Sequence, residues 1–525
     1  MLKKLNLEKN QLKIGVLCSY FYMGVGFLVY FFLTPFVLNK VGKIEYGLYS
    51  LLLSIINYLN LLEFGLNSAY IRYYLKFKSE KNYNKVQKLN STFLLIFSLI
   101  GIIAVIFCLL FYLKPELILK QDLNIEQILK MKKMFFVALF MVFFSFINII
   151  FNCYLIANER FIFQRGMQLL KTILEPLLII LFLSLEYKIL GIIYTKTFFT
   201  IFFTSVNIFY CTKKIKMKFS LKILEIKYIK EMLSFSSFIF LQMIMDQILW
   251  NVDKIILSKV VGISEVTVYS LAAQINNYYI MIATAISGVF ISKVNKITFS
   301  LTHSENEKNI LLSDLMVKIG RIQFLILLPV LLTVIFFGKK FIILWVGIDY
   351  IETYFITLLL IIPITFPLLQ TIGVEIERAK NMQKFMCIIG VLLAVFNLLV
   401  SIPLAKLYGG IGSAIGTAFS LIFGFIFIKN WYYGKKIGLN IKEFFKEIFK
   451  FFPAMLLIVI FGILIVKILK ITNFFQLLLS IIIFNIIYII IMWLIGMNDF
   501  EKELILKPIK ILLKNRRRVT KWKKF

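Results

Sequence analysis

The sequence predicts an all-α integral membrane protein of fourteen transmembrane helices, arranged as two pseudo-symmetric six-helix bundles followed by two C-terminal helices. Three observations carry that expectation. The 525 residues are 60% hydrophobic with a mean hydropathy of +0.88, against roughly 45–50% apolar in a soluble domain, so one soluble core cannot bury them. Apolar runs of about 20 residues recur from end to end, each long enough to cross about 30 Å of hydrocarbon. The runs are continuous rather than alternating, which excludes barrel strands, and an open sheet would leave backbone groups unpaired in lipid.

In order, the spans cover roughly 12–38, 46–71, 89–113, 132–157, 163–186, 189–212, 232–258 and 265–290, then 319–338, 351–373, 384–407, 410–430, 449–470 and 473–497. The apolar stretch Ile14 to Leu38 is too long for the core of a signal peptide and is read as a retained helix. Residues 1–220 form the first bundle, 221–440 the second, and 441–525 the last two helices with a basic tail. The longest outer connection, Lys114 to Met131, is too short for a soluble domain.

The formal charge of +33 would suggest nucleic acid in a soluble protein, but its placement says otherwise. With the N-terminus inside, most of the 60 Lys and Arg fall on the inner side, as the positive-inside rule requires. Both termini, "RYYLKFKSEKNYNKVQK" and "TKKIKMKFSLK" are therefore expected in the cytoplasm, and so is the tail "KNRRRVTKWKKF". There they rest on anionic lipid headgroups, at roughly 1 kcal/mol per basic residue, and no nucleic-acid partner is expected. The five cysteines, Cys18, Cys108, Cys153, Cys211 and Cys387, lie in or beside spans with no C-x-x-C pair, so no disulfide framework and no metal site is expected. The one histidine, His303, falls in a loop, which excludes histidine acid–base catalysis within the membrane.

A weak internal repeat divides the chain. "LNKVGKIEYGLYSLLLSIINYL" from Leu38 resembles "LSKVVGISEVTVYSLAAQINNYY" from Leu257, with Lys40-Val41 on Lys259-Val260 and Tyr49-Ser50-Leu51 on Tyr269-Ser270-Leu271. Both copies join an outward-going to an inward-going helix, six spans apart. Parallel repeats of this kind occur in transporters, with the substrate site at the repeat interface. Pro35, Pro176, Pro329, Pro363, Pro367 and Pro403 fall inside spans, where each removes a helix hydrogen bond. Gly412 and Gly416 form a G-x-x-x-G that permits close helix contact.

Polar residues inside the spans are the candidate site, because a charge at bilayer depth costs at least about 2.5–3.5 kcal/mol. In "QMIMDQILWNVDKIILSK", Gln242, Asp246 and Asp253 fall within about a 40° arc at 100° per residue. Span 2 carries Asn57, Asn60, Glu63 and Asn67 within about a 120° arc, with Arg72 at its inner end, and span 8 offers Gln274 and Asn277. Lys171 and Glu175 share one face of span 5, and span 6 adds Lys196. One reading is a water-filled cavity between the bundles with acidic and basic walls that include Glu63 and Glu175: Lys171, Lys196 and Arg72 hold an anionic headgroup, and the neutral Asn57, Asn60, Gln274 and Asn277 meet sugar hydroxyls. Asp246 and Asp253 are the candidates for a coupling proton or sodium ion, since a partly desolvated carboxylate binds either. The plainer readings are an intrahelical Lys171–Glu175 pair, a helix end at Asp253–Lys254, and Lys196, Lys254 and Arg72 snorkelling to headgroups.

Two stretches carry a family resemblance. "VGKIEYGLYSLLLSIINYLNLLEFGLNSAYIRYY" resembles the opening signature of the Wzx-type polysaccharide-exporting flippases, through Gly42, Tyr46, Gly47, Tyr49 and Glu63-Phe64-Gly65-Leu66. "NVDKIILSKVVGISEVTVYSLAAQI" resembles the second signature, through Asp253, Lys254, Val266 and Tyr269. That family shares the multidrug/oligosaccharidyl-lipid/polysaccharide exporter superfamily with lipid II flippases and drug extruders. The resemblance implies two lobes rocking between inward-open and outward-open states in a bacterial plasma membrane. Its cargo would be an oligosaccharide on a polyprenyl pyrophosphate, with a glycan polymerase and glycosyltransferases as partners and no enzymatic step. Asp246, Lys171, Lys196 and Glu175 lie outside these signatures and rest on helical spacing alone. A cation-coupled drug extruder and a lipid II flippase are the alternatives on the same fold. A membrane glycan polymerase is less favoured, for want of a sizeable outer loop.

Overall fold

Every secondary-structure element among the described residues is a helix; these are 11–119, 124–288, 290–504 and 506–507 of a computed structural model. The helices are α1 (Gln11–Leu59), α2 (Leu66–Ser79), α3 (Tyr83–Leu113), α4 (Ile125–Ala157), α5 (Phe161–Ser184), α6 (Lys188–Phe209), α7 (Ile226–Val260) and α8 (Ile263–Gly288). Then follow α9 (Ile291–Thr298), α10 (Glu305–Trp345), α11 (Glu352–Leu369), α12 (Thr371–Ala379), α13 (Gln383–Leu421), α14 (Ile441–Phe449), α15 (Phe452–Ile468) and α16 (Phe474–Ile491). Their starts carry the expected caps. The Asn82 side chain accepts from Lys85 N, and Ser304 and Glu307 form a reciprocal capping box at α10.

By length and composition, nine helical runs among the described residues can cross a membrane, or eleven when two bent pairs are counted, so the count of fourteen is not reached this way. Two overlong runs account for two of the three spans by which eleven falls short, and α8, which is not among the counted runs, is the third. Phe21–Ser79 has 59 residues and Lys384–Ile437 has 54, each more than twice what about 30 Å of hydrocarbon needs. Each contains two of the expected spans, joined without a loop. α1 breaks at Gly42 (φ 81°) and α13 at Tyr408-Gly409, where Gly409 has φ 59°. Both glycines occupy the left-handed region that costs other residues most, so a one-residue corner replaces a loop.

Span 2 differs from its sequence reading. The α-helix stops at Leu59, a 3₁₀ turn covers Asn60–Glu63, and Phe64 (φ 50°) and Gly65 (φ 68°) are both left-handed before α2 begins. The 120° arc that joined Asn57 to Asn67 assumed unbroken helix, and this break cancels it. α7 approaches at the break: a Cβ on Gly65 would stand 2.8 Å from Ile239 Cγ2.

The described residues pack as two units. The first holds residues 1–274 and 384–420, which covers α1–α7, the start of α8 and most of α13. Within it α3 packs on α4, α4 on α6, and α1 on α5 and α7. The two repeat copies touch here, because Thr267 Oγ1 donates to the Lys43 carbonyl. Both copies turn at a glycine of positive φ, Gly42 and Gly262 (φ 148°). The second unit holds 275–383 and 421–525. Its apolar core joins α10, α15 and α16 through Leu328, Leu332, Phe337, Phe451, Ile458 and Phe484. At its edge the buried Arg321 binds Glu501 through Nε (2.6 Å) and Nη2 (3.1 Å), reaches Glu447 Oε2 (3.4 Å), and lies 4.3 Å from the Phe451 ring.

The outer faces are apolar. On α3, Leu95, Leu99, Ile102, Ile106 and Leu110 are all exposed, and on α16 so are Leu478, Ile482, Ile486 and Ile489. Rows of exposed aliphatic residues at helical spacing are what acyl chains solvate.

Candidate functional site

Two polar assemblies lie inside the first unit. The first centres on Glu175, 3% exposed on α5, where Pro176 follows it. Lys196 of α6 places Nζ 2.8 Å from Glu175 Oε1, and Lys171, one turn earlier, stands 3.9 Å from Oε2. Lys196 Nζ also lies 5.9 Å from the Tyr49 ring centroid on α1, within cation–π reach. The structure therefore brings Lys171, Glu175 and Lys196 into one cluster with a formal charge of +1. Lys196 is committed to Glu175, whereas Lys171 is the more weakly held and has a side chain 39% exposed.

The second centres on Asp253 of α7, which is fully buried. Its carboxylate accepts three hydroxyl hydrogen bonds: Tyr269 OH (2.6 Å, α8), Ser413 Oγ (2.6 Å, α13) and Thr417 Oγ1 (3.1 Å, α13). A further layer stands behind them. Asn397 Nδ2 donates to Thr417 Oγ1 (3.0 Å), and Ser401 Oγ donates to the Ser413 carbonyl (3.2 Å). Gly412 and Gly416 make this possible: a Cβ on Gly412 would strike the Leu404 carbonyl, and one on Gly416 would strike Ser401 Oγ. The two arms of α13 thus close on each other where the G-x-x-x-G was expected to allow contact. The hydroxyls satisfy a desolvated carboxylate, which makes Asp253 affordable in an apolar bundle.

The remaining predicted residues whose side chains are described stand apart from these clusters. Glu63 is half-buried and accepts from Asn67 Nδ2 (3.4 Å). Asn57 and Arg72 are exposed, and Asn60 is half-buried in the 3₁₀ turn. Gln274 donates to Thr34 Oγ1 of α1 (3.1 Å). Asn277 is exposed on the part of α8 that belongs to the second unit. Asp246 lies on α7, and its side chain is outside the described residues. No group of three or more His, Cys, Asp or Glu able to hold a metal occurs among the described residues.

Sequence reasoning missed Ser413, Thr417, Asn397 and Ser401, which no local spacing links to Asp253. It also missed Gln164 and Gln168. Those two continue the Lys171–Glu175 face at steps of four, three and four, a signal that was present in the sequence.

A family model described as "polysaccharide biosynthesis protein" matches residues 12–291, more than half of the chain. The chain belongs to this polysaccharide biosynthesis family. The matched region spans both signature stretches, Asp253 and the Glu175 cluster. Among solved structures, this family member is similar to the lipid II flippase MurJ in an inward closed conformation, with a TM-score of 0.71 and 20% identity over 94% of this chain and 99% of that one. It is also similar to an inward-facing multidrug resistance MATE transporter of the MOP superfamily (TM-score 0.58, 14% identity, 76% and 92% covered). The MATE multidrug transporter DinF-BH gives a TM-score of 0.58 and 15% identity, with 81% and 94% covered. At these identities the likeness is one of fold alone; the long apolar helices make the family member a multi-pass membrane protein. No curated protein is significantly similar in sequence.

Proposed function

We propose that this protein is a flippase that moves a polyprenyl-pyrophosphate-linked oligosaccharide from the inner to the outer leaflet of a bacterial plasma membrane by alternating access. The single observation that supports this most is the polysaccharide biosynthesis match over 12–291, which contains the Lys171–Glu175–Lys196 cluster, of net positive charge around a buried carboxylate. A pyrophosphate and its sugars cannot enter hydrocarbon bare, because each desolvated polar group costs kcal/mol. A polar, weakly cationic lining substitutes for that lost water while the lipid tail stays in the bilayer. The basic sequences at the ends of α2 and α6 and in the C-terminal tail support cytoplasmic termini by the positive-inside rule.

An ion gradient drives the cycle in this reading. Asp253 with Ser413, Thr417 and Asn397 offers oxygen ligands to a sodium ion once the hydroxyl hydrogens turn away, or a site for a proton. Asp246 is the second candidate carboxylate on α7. Lipid II as cargo is the second reading, favoured by the likeness to a lipid II flippase.

The test is reconstitution of the full chain in vesicles with a fluorescent polyprenyl-pyrophosphate oligosaccharide. Movement to the opposite leaflet, driven by a sodium or proton gradient, is expected. Transport of lipid II but of no other lipid-linked glycan would favour the second reading, and transport of neither would overturn the proposal.

A further inference from the structure

Between α4, α5 and α6, at the basic end of these helices, lies a cavity of about 270 Å³ that the roles above touch only through Lys171. Its wall carries Asn148 and Asn152 of α4, Gln164, Gln168 and Lys171 of α5, and Asn207 of α6. Five of these six are uncharged amides, which is unusual inside an apolar bundle. Asn207 Nδ2 donates to Asn148 Oδ1 (2.9 Å) and at longer range to Asn152 Oδ1 (3.5 Å), and Arg165 Nη1 donates to Gln168 Oε1 (2.7 Å). The remaining valences are open. Gln164 is 8% exposed, and its amide has no hydrogen-bond partner among the described residues. The Asn148 and Asn152 amino groups, the Gln168 amino group and the Asn207 carbonyl are likewise unused toward protein.

Unpaired amides among apolar helices call for an occupant that hydrogen-bonds. The mixture decides its chemistry. A phosphate only accepts, so the Asn207 carbonyl, whose orientation is fixed by the Nδ2 bond to Asn148, would face its negative charge, with Lys171 at the edge of the wall as the cation to offset it. A metal cation would face the amino groups instead. A neutral polyol or acetamido group both donates and accepts, and satisfies each amide as it stands. Met167 and Phe203 supply an apolar patch in the same wall, suited to the C–H face of a sugar ring. The volume is close to the lower limit of about 300 Å³ for small-molecule pockets, which is room for one ring rather than a chain.

We propose that this pocket is a recognition subsite for one neutral, hydroxyl- or acetamido-bearing sugar residue. That such a residue belongs to a lipid-linked cargo rests on the flippase reading; binding of the sugar itself does not. The ladder Gln164, Gln168, Lys171, Glu175 then runs about 16 Å along one face of α5, leading from the sugar pocket to the charged cluster.

Saturation-transfer NMR on the purified full chain, in detergent, tests this with N-acetylglucosamine and glucose as probes and inorganic pyrophosphate as a competitor. Transfer to at least one of the sugars is expected, weakened about five-fold by Gln164→Met and again by Asn148→Val, as loss of one hydrogen bond implies. The isosteric Gln164→Glu variant keeps the volume and serves if Gln164→Met does not fold; it is expected to weaken the neutral sugars as well. Sugar signals absent, as for a pocket holding water alone, unchanged by these variants, or outcompeted by pyrophosphate, would overturn the proposal. Sugar binding without any lipid-glycan movement in vesicles would sink the flippase reading and leave the subsite standing. Normal lipid-glycan movement with no sugar binding would do the reverse.

Discussion

Lys196 reaches from α6 to within 2.8 Å of Glu175, closer than Lys171, the residue that shares a helix face with that carboxylate. The interhelical pair is therefore the stronger tie, and the intrahelical pair that spacing alone suggests is secondary. Removing one partner of a buried pair leaves an uncompensated charge, at a cost of about 3–5 kcal/mol.

Lys196→Met is accordingly expected to lower the thermal unfolding midpoint of the purified protein far more than Lys171→Met. Combining it with Glu175→Gln should restore part of the loss, since the stranded carboxylate is then gone. Equal losses for the two single lysine variants would contradict the geometry.

Asp253→Asn removes the charge but keeps oxygen and size. It is expected to fold with nearly normal stability and, under the ion coupling proposed above, to make transport in vesicles independent of the ion gradient. Asp253→Ala strands the Tyr269, Ser413 and Thr417 hydroxyls and should be markedly less stable, by about 1–3 kcal/mol for each hydroxyl left unsatisfied.

Gly412→Ala forces a methyl into the Leu404 carbonyl and must part the two arms of α13. A loss of about 1–3 kcal/mol or more is expected from overpacking. Because Ser413 and Thr417 sit on the displaced arm, the variant should also mimic Asp253→Asn in transport, which an isolated packing defect would not do.

Glu377 follows α11 on α12, only 4% exposed, and burial pushes its carboxyl up to about 7 against the counter-effect of Lys429 and Arg378. The folded protein then binds a proton more tightly than the unfolded chain. Its contribution to stability is fully present below the ordinary glutamate range near 4.5 and is lost as pH rises through about 7. Melting curves from pH 5 to 8 should fall for the natural protein and flatten for Glu377→Gln. Identical slopes would refute the assignment.

Arg321→Met should release the segment after Gly496, because Glu501 and the Gly496 carbonyl lose their shared partner. Limited proteolysis is expected to cut there first, with the helical runs before it resisting.

The fold class was legible because apolar runs near bilayer length leave one solution, helix. The Glu175 cluster was half legible: the i, i+4 spacing gave Lys171, and only packing of α6 on α5 gave Lys196 its partner. The surroundings of Asp253 were not, since Ser413 and Thr417 lie 160 and 164 residues away. Likewise no periodicity announces that Phe64 and Gly65 turn left-handed and end the polar arc of span 2. Backbone reversals over one or two residues leave hydropathy almost untouched.

The corner at Gly42 carries one more implication. Two arms joined by a single left-handed residue have no slack chain between them, so a tilt imposed on one is handed to the other at once, like a bell-crank rather than a rope. A carrier whose entry and exit must never open together gains from such stiffness. Lengthening that corner by even a few glycines should therefore uncouple the two motions before it unfolds anything.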